Sequence, residues 1–305
     1  MASAIVLSAS GGVYDVELED GTVTEASLRG RLKLQQRTGD RVVAGDIVGV
    51  ESQSDGSLTI ESVESRTSQL ARRAPGRGRN AKVMVANIDR VIIVFAAREP
   101  QPNRRLLDRF LVLVEANRLD PLIVLNKIDQ ADDDFADTFL APYEAVGYET
   151  LRTSVTAAVG VDALRAKMCN ARSVVTGPSG VGKSSLLNSV QPGLGLRIGE
   201  VSASVNKGQH TTVSSRLIPL ECGGYVADTP GLRELGLWGI QPEELPDCFP
   251  EFTDLIGTCR FARSCSHTHE PGCAVRSAVD SGAIDRERFA SYLTLREEAE
   301  GAPQY

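Results

Sequence analysis

The stretch "GPSGVGKSS" at 177–185 constrains the fold of this 305-residue chain more than any other feature. Gly177, Gly182, Lys183 and Ser184 satisfy G-x-x-x-x-G-K-[ST], with the apolar "SVVT" before them and the helix-forming "LLNSV" after. The pattern demands a strand, a tight loop and the first turn of a helix, because its glycines let successive backbone N–H groups curl around phosphate oxygens at a helix N-terminus. Pro178, Ser179, Gly180, Val181 and Ser185 complete the cradle. Lys183 is placed to neutralise β and γ oxygens, and the Ser184 hydroxyl to take Mg²⁺.

The surrounding texture agrees. "RVIIVFAA", "NRRLLDRFLVLVEANR", "PLIVLN", a helix near 134–147, "TLRTS", a helix near 160–168 and "SVVTG" alternate strand with helix, which predicts a mostly parallel sheet covered on both faces. Before it, "VYDVEL", "GTVTEASL", "GDIVGVES" and "SLTIESV" are short alternating stretches at the spacing of a small β-barrel. "RRAPGRGRN" separates the two regions as a linker or mobile basic loop. From about 240 the chain turns richer in acid, Cys and His and ends in a helix predicted over 285–299. The expected domains are 1–72, 73–239 and 240–305.

Composition closes off other classes. Hydrophobic residues at 42% and charged ones at 24% exclude a fibrous or disordered chain. Without a basic N-terminal region or a run of about 18 apolar residues, the protein is expected in the cytoplasm, off the membrane. Six cysteines are too few for a disulfide scaffold, and Cys169, Cys222 and Cys248 are read as reduced core residues. The net charge of −7 hides a local field: Arg66, Arg72, Arg73, Arg77, Arg79 and Lys82 form a basic stretch with no acid in it.

Two further motifs fit the same ligand. "YVADTPG" puts Asp228 at a strand end, where a carboxylate can hold Mg²⁺ through water, and Gly231 beside it, where an N–H can approach a γ-phosphate. "NKID" places Asp129 after another strand; its carboxylate matches the N1 and N2 donors of guanine, which adenine lacks in that arrangement. Asn126 would tie neighbouring loops together, the Lys127 stem would cover the base, and Ser154 would bring a backbone N–H to guanine O6. NKID precedes the phosphate loop by about fifty residues, the reverse of the usual order, so the domain is expected to be circularly permuted. The segment after Gly231 then leads straight into the C-terminal domain, which could read nucleotide state as domain orientation.

The series NKID, GPSGVGKSS, "KGQHTT", DTPG and a Cys/His cluster, behind a β-rich segment, resembles the RsgA (YjeQ/EngC) family of small-subunit-dependent GTPases. The resemblance covers nearly the whole chain. It implies an OB-type barrel, a circularly permuted P-loop GTPase domain and a small zinc domain, acting on GTP in late maturation of the 30S subunit with 16S rRNA as partner, as a monomer. In "CRFARSCSHTHEPGC" the ligand set suited to tetrahedral Zn²⁺ is Cys259, Cys265, His267 and Cys273. The interval from Cys259 to Cys265 is one residue longer than the family's, which leaves His269 as an alternative to Cys259. Leu232 stands where many GTPases carry a water-orienting glutamine, so unaided hydrolysis should be slow. By resemblance His210 orients water once a partner orders its loop, and Thr211 or Thr212 reaches Mg²⁺ and the γ-phosphate. Leu232 keeps open a second reading, a GTP-sensing RNA-binding protein in which turnover is not the working step. The basic stretch, with Arg29, Arg31 and Lys33, is the expected RNA face.

Overall fold

The computed structural model describes residues 2–30, 32, 41–72, 82–194, 215–228 and 240–301. The N-terminal alternation forms β1 (Ala2–Ser10), β2 (Val13–Leu18), β3 (Val23–Leu28), β4 (Ile47–Ser52) and β5 (Leu58–Val63). Every second residue points inward, so Val6, Val16, Ala26, Val48, Val50 and Ile60 build one core. The order β1-β2-β3-β5-β4, with β4 returning to β1, closes the sheet into an OB-type barrel and leaves it no free edge. Next, β6 (Gln69–Arg72) and β7 (Lys82–Ala86) pair antiparallel across position 72/73, where the sequence placed a domain boundary. Their Leu70 and Val85 pack with Val91, Ile93 and Phe95 of the following domain.

The central domain runs β8 (Arg90–Ala96), α1 (Arg104–Ala116), β9 (Asp120–Asn126), α2 (Phe135–Ala145), β10 (Glu149–Arg152), α3 (Val161–Met168), β11 (Arg172–Thr176), α4 (Lys183–Val190), β12 (Arg216–Pro219) and β13 (Tyr225–Asp228). In space the strands follow β10-β9-β8-β11-β13-β12, all parallel except β12. The central strands are apolar throughout because both faces are covered. Val91, Ile93 and Phe95 meet α1 and α2, whereas Ile92, Val94 and Ala96 meet Leu164, Met168, Leu186 and Leu187 of α3 and α4. β11 enters late in the chain yet sits mid-sheet, one strand from β9, as a permuted order requires.

The C-terminal region contains α5 (Ala274–Asp280) and α6 (Arg286–Gly301). It docks on α1. Leu107, Leu111 and Val114 of that helix face the sheet, while Val112 and Leu113 join Leu245, Phe249, Phe252, Tyr292 and Leu295. Packing on two sides explains why Leu107, Phe110, Leu111, Val112, Leu113 and Val114 of one helix are all buried. At the seam Arg288, 2% exposed, donates to Asp108 Oδ1 at 2.7 Å and through Nε and Nη2 to Glu251 at 2.9 Å each.

One sequence expectation fails. Cys169, at the C-terminal cap of α3, and Cys222, in the β12–β13 turn, are joined by a disulfide with Cα atoms 5.3 Å apart. Parallel pairing of Arg172 with Tyr225 sets the residues preceding β11 and β13 side by side, and the Asn170 N–H donates to Gly223 O. A separation of 53 residues hides that proximity from the sequence. Cys248 is buried outside any disulfide, its thiol donating to the Glu244 carbonyl at 3.5 Å.

Candidate nucleotide and metal sites

The phosphate loop leaves β11 pressed against its neighbours. Gly177 has φ 134°, and a Cβ there would stand 2.0 Å from Val94 O; Gly182 has φ 94°, and a Cβ there would stand 2.4 Å from Asn126 Nδ2. Only glycine meets both demands. Lys183, nearly buried, folds its ammonium back inside the loop to the carbonyls of Gly177 at 2.8 Å and Pro178 at 2.5 Å. Ser184 follows in the first turn of α4, also buried.

Asn126, at the end of β9, joins three loops through one side chain. Its Nδ2 donates to Val181 O at 2.9 Å, and its Oδ1 accepts from Thr153 Oγ1 at 3.1 Å. Lys127 (φ 58°) passes its Cε within 3.8 Å of the Cβ position at Gly182, and its Nζ donates to Glu99 O at 2.5 Å. The stem thus runs along the mouth of the loop. Asp129 is exposed there, and its carboxylate accepts from Ser154 Oγ at 2.5 Å. The Ser154 N–H, expected to face guanine O6, instead donates to Val159 O at 2.9 Å. A bridge between Ser154 and Val159 claims it, and the residue contributes its hydroxyl, which orients Asp129. The two motifs therefore meet at the C-terminal edge of one sheet, in the crevice where such sheets bind ligands.

Asp228 ends β13 beside β11. Its side chain, together with His210, Thr211, Thr212, Gly231 and Leu232, lies outside the described residues. So do Arg31, Lys33, Arg73, Arg77 and Arg79 and the side chains of Arg72 and Lys82. Arg66 drops out of the expected basic face: its guanidinium grips the buried Asp46 at 2.7 and 2.9 Å and the Arg41 carbonyl at 2.8 Å. Arg29 pairs with the buried Glu61.

The second site is in the C-terminal domain. Ligand atoms of Cys259, Cys265, His267 and Cys273, all buried, lie within 4.8 Å of one another. Cys259 Sγ is 3.6 Å from His267 Nδ1 and 3.9 Å from Cys273 Sγ, and His267 Nδ1 is 3.4 Å from Cys273 Sγ. Three sulfurs about 2.3 Å and one nitrogen about 2.0 Å from a tetrahedral zinc are separated by roughly 3.5–3.8 Å, so the cluster has nearly the size of that coordination shell. Cys259 completes the set, not His269, which is exposed and meets the Thr268 hydroxyl at 2.8 Å. The Ala274 and Arg276 N–H groups point at Cys259 Sγ (3.2 Å) and Cys273 Sγ (3.5 Å). Burial raises the Cys265 thiol to about 12 and lowers His267, so a divalent cation is what would make thiolates stable there. The residues fit one zinc ion, whose four protein ligands would leave no open position.

The sequence profile of the RsgA GTPase family matches residues 63–238. A Small ribosomal subunit biogenesis GTPase RsgA from Gemmatimonas aurantiaca is 46% identical over 301 residues, spanning 98% of each chain. A protein of the same name from Moorella thermoacetica is 45% identical over 285 residues, 93% of each chain. Among solved structures, YjeQ from Thermotoga maritima aligns over 99% of both chains with a TM-score of 0.82 at 34% identity. YloQ, described as a circularly permuted GTPase, aligns over 100% of this chain and 97% of that one, with a TM-score of 0.77 at 29% identity. Likeness from end to end, added to a phosphate loop and a guanine-type NKID loop locked together by Asn126, establishes that this chain belongs to the RsgA GTPase family.

Proposed function

We propose that this GTPase hydrolyses GTP to GDP and phosphate in the biogenesis of the small ribosomal subunit, on a 30S particle that stimulates the reaction. The observation that carries the reading is the joint between the motifs: Asn126 holds Val181 of the phosphate loop and Thr153 of the base loop, and Ser154 aims Asp129. Asp129 accepts from guanine N1 and N2, and the N–H of Val155, next to Ser154, takes over the contact with O6 that Ser154 itself cannot make. Backbone N–H groups of 177–185 and the Lys183 ammonium hold the phosphates. Ser184, Asp228 and Thr211 or Thr212 hold Mg²⁺, which neutralises charge on the β and γ oxygens when bound. His210 orients water, a role left open by Leu232. Cys259, Cys265, His267 and Cys273 hold a structural zinc. The partner surface is 16S rRNA, met by a cytoplasmic monomer; support comes from the relatives, which are named for small ribosomal subunit biogenesis.

The test is turnover of GTP and ATP with Mg²⁺, with and without isolated 30S subunits. GTP should be hydrolysed slowly alone and faster with 30S, and ATP rejected by at least about 10³, since its base edge leaves Asp129 unpaired. Equal use of ATP, or a rate indifferent to 30S, would refute the reading.

A further inference from the structure

We infer that the loop between Cys259 and Cys265 is a stacking platform for an unpaired RNA nucleotide, with Phe261 supplying the face and Arg260 and Arg263 the phosphate contacts. The inference rests on the ribosomal reading above for its partner, but its geometry is independent of it.

Among the described residues the exposed large apolar side chains are Val13, Val23, Val159 and Phe261, and Phe261 is the aromatic one, 44% exposed. It has no place in the core behind it, which Phe249, Phe252, Phe289 and Tyr292 already fill. The loop also holds it out. The Arg260 N–H donates to Gly272 O at 3.0 Å and the Ala262 N–H to Cys259 O at 2.8 Å. Phe261 O accepts from Ser264 N at 3.1 Å and from Ser264 Oγ at 2.7 Å. Two metal-ligand positions, Cys259 and Cys265, bracket the turn. A ring displayed on so constrained a backbone gives up little freedom on binding, the condition under which one aromatic contact has a measurable effect.

Charge decides what the ring is for. Between 255 and 279 the basic residues are Arg260, Arg263 and Arg276, and the single carboxylate is Glu270. Glu270 is already used: its oxygens accept from the N–H groups of Ser266 (2.7 Å), Thr268 (3.2 Å) and His269 (3.2 Å). Arg276 turns toward the Glu270 carbonyl at 3.4 Å. Arg260 and Arg263 remain exposed in the same loop, and the Arg260 guanidinium lies over one face of the ring, 5.8 Å from its centroid, which leaves the other face for a base. Among the described residues of the C-terminal domain Phe261 is the one exposed large apolar side chain, so it belongs to no extended apolar patch of the kind that marks a protein–protein site. One π-face with flanking cations is instead the pattern that binds single-stranded nucleic acid. The barrel lacks such a face: Tyr14, its one aromatic, is buried.

The experiment compares full-length wild type with Phe261→Ala, Phe261→Leu, Phe261→Trp and Arg260→Ala/Arg263→Ala, all checked for unchanged zinc content and GDP affinity. Binding is measured to 30S subunits with a non-hydrolysable GTP analogue, and to a mixed-sequence single-stranded oligoribonucleotide. Ala and Leu should each weaken both interactions by about 5- to 150-fold, the range for one stacked base, while Trp should retain them. The double arginine variant should also flatten the salt dependence. Leu binding like wild type would mean an apolar protein contact and would overturn the inference, as would wild-type binding by Ala in both assays. If the wild type binds the oligonucleotide through Phe261 but ignores 30S, the platform stands and the ribosomal reading falls. If it binds 30S without needing Phe261, the reverse holds.

Discussion

Replacing Arg288 with Met should loosen the C-terminal domain from α1 while leaving the nucleotide loops intact. Arg288 is 2% exposed and sits between Asp108 at 1% and Glu251 at 5%, with the Phe249 ring 4.9 Å and the Tyr143 ring 5.4 Å from its guanidinium carbon. Burial alone lifts the Asp108 carboxyl above its ordinary range, and Arg288 pulls against that rise. For Arg288 itself burial opposes the charge, yet Asp108 and Glu251 hold its pKa above the usual value. Met fills much of the volume but strands two carboxylates, and breaking a buried pair from one side costs about 3–5 kcal/mol. Divided by 1.36 kcal/mol per decade, that is roughly a 10²- to 10⁴-fold loss of hydrogen-exchange protection in α6, read by mass spectrometry at pH 7.5. The sign with pH follows. In the variant burial keeps the Asp108 carboxyl above its unfolded value with no Arg288 to oppose it, the folded state binds more protons, and stability falls as pH rises through that folded value. The deficit should therefore shrink between pH 7.5 and about pH 5, and also on adding Asp108→Asn and Glu251→Gln. Wild-type protection in Arg288→Met at pH 7.5, or a deficit that grows on acidification, would refute the argument.

Six further outcomes are expected. Asp129→Asn should shift preference from guanine toward xanthine nucleotides, measured by competitive binding, and Gly182→Ala should abolish nucleotide binding because its Cβ would meet Asn126 Nδ2 at 2.4 Å. Adding Zn²⁺ to chelator-stripped protein near pH 7 should release about three protons, one per thiol, seen by calorimetry in buffers of different ionisation enthalpy; Cys265→Ala should reduce both proton release and zinc content. Reducing the Cys169–Cys222 bond, which spans 53 residues, should lower the stability of the oxidised protein by about 4 kcal/mol on the chain-entropy estimate, checked by denaturation with and without reductant. Finally, His210→Ala should cut 30S-stimulated turnover with little change in GDP affinity, and Arg72, Arg73, Arg77 and Arg79 changed together to Ala should flatten the salt slope of 30S binding; Arg66 is left out because it is held by Asp46.

The sequence by itself determined what is fixed within about ten residues. The glycines of GPSGVGKSS, the strand before them and the helix after them specify one backbone path. The near-continuous apolar run of β8 requires a sheet covered on both sides, and the alternation before residue 70 requires a one-faced barrel wall. The permuted order was legible too, because NKID and the phosphate loop each demand the end of a parallel strand and a common ligand brings those ends together. Tertiary structure decided whatever depends on strand register or on partners far along the chain. Asp46 claimed Arg66 from 20 residues away, and Asp108 claimed Arg288 from 180 away. Cys259, not His269, entered the metal cluster because the loop turns His269 outward, a choice that spacing between ligands does not express. Cys169 met Cys222 only because β11 and β13 are parallel neighbours, and Ser154 lost its N–H to Val159 through a bridge that closes a loop of irregular backbone. Local motifs are set by the allowed geometry of a short backbone, whereas the partner of a buried charge or thiol is set by which elements stack, and that is a property of the whole packed chain.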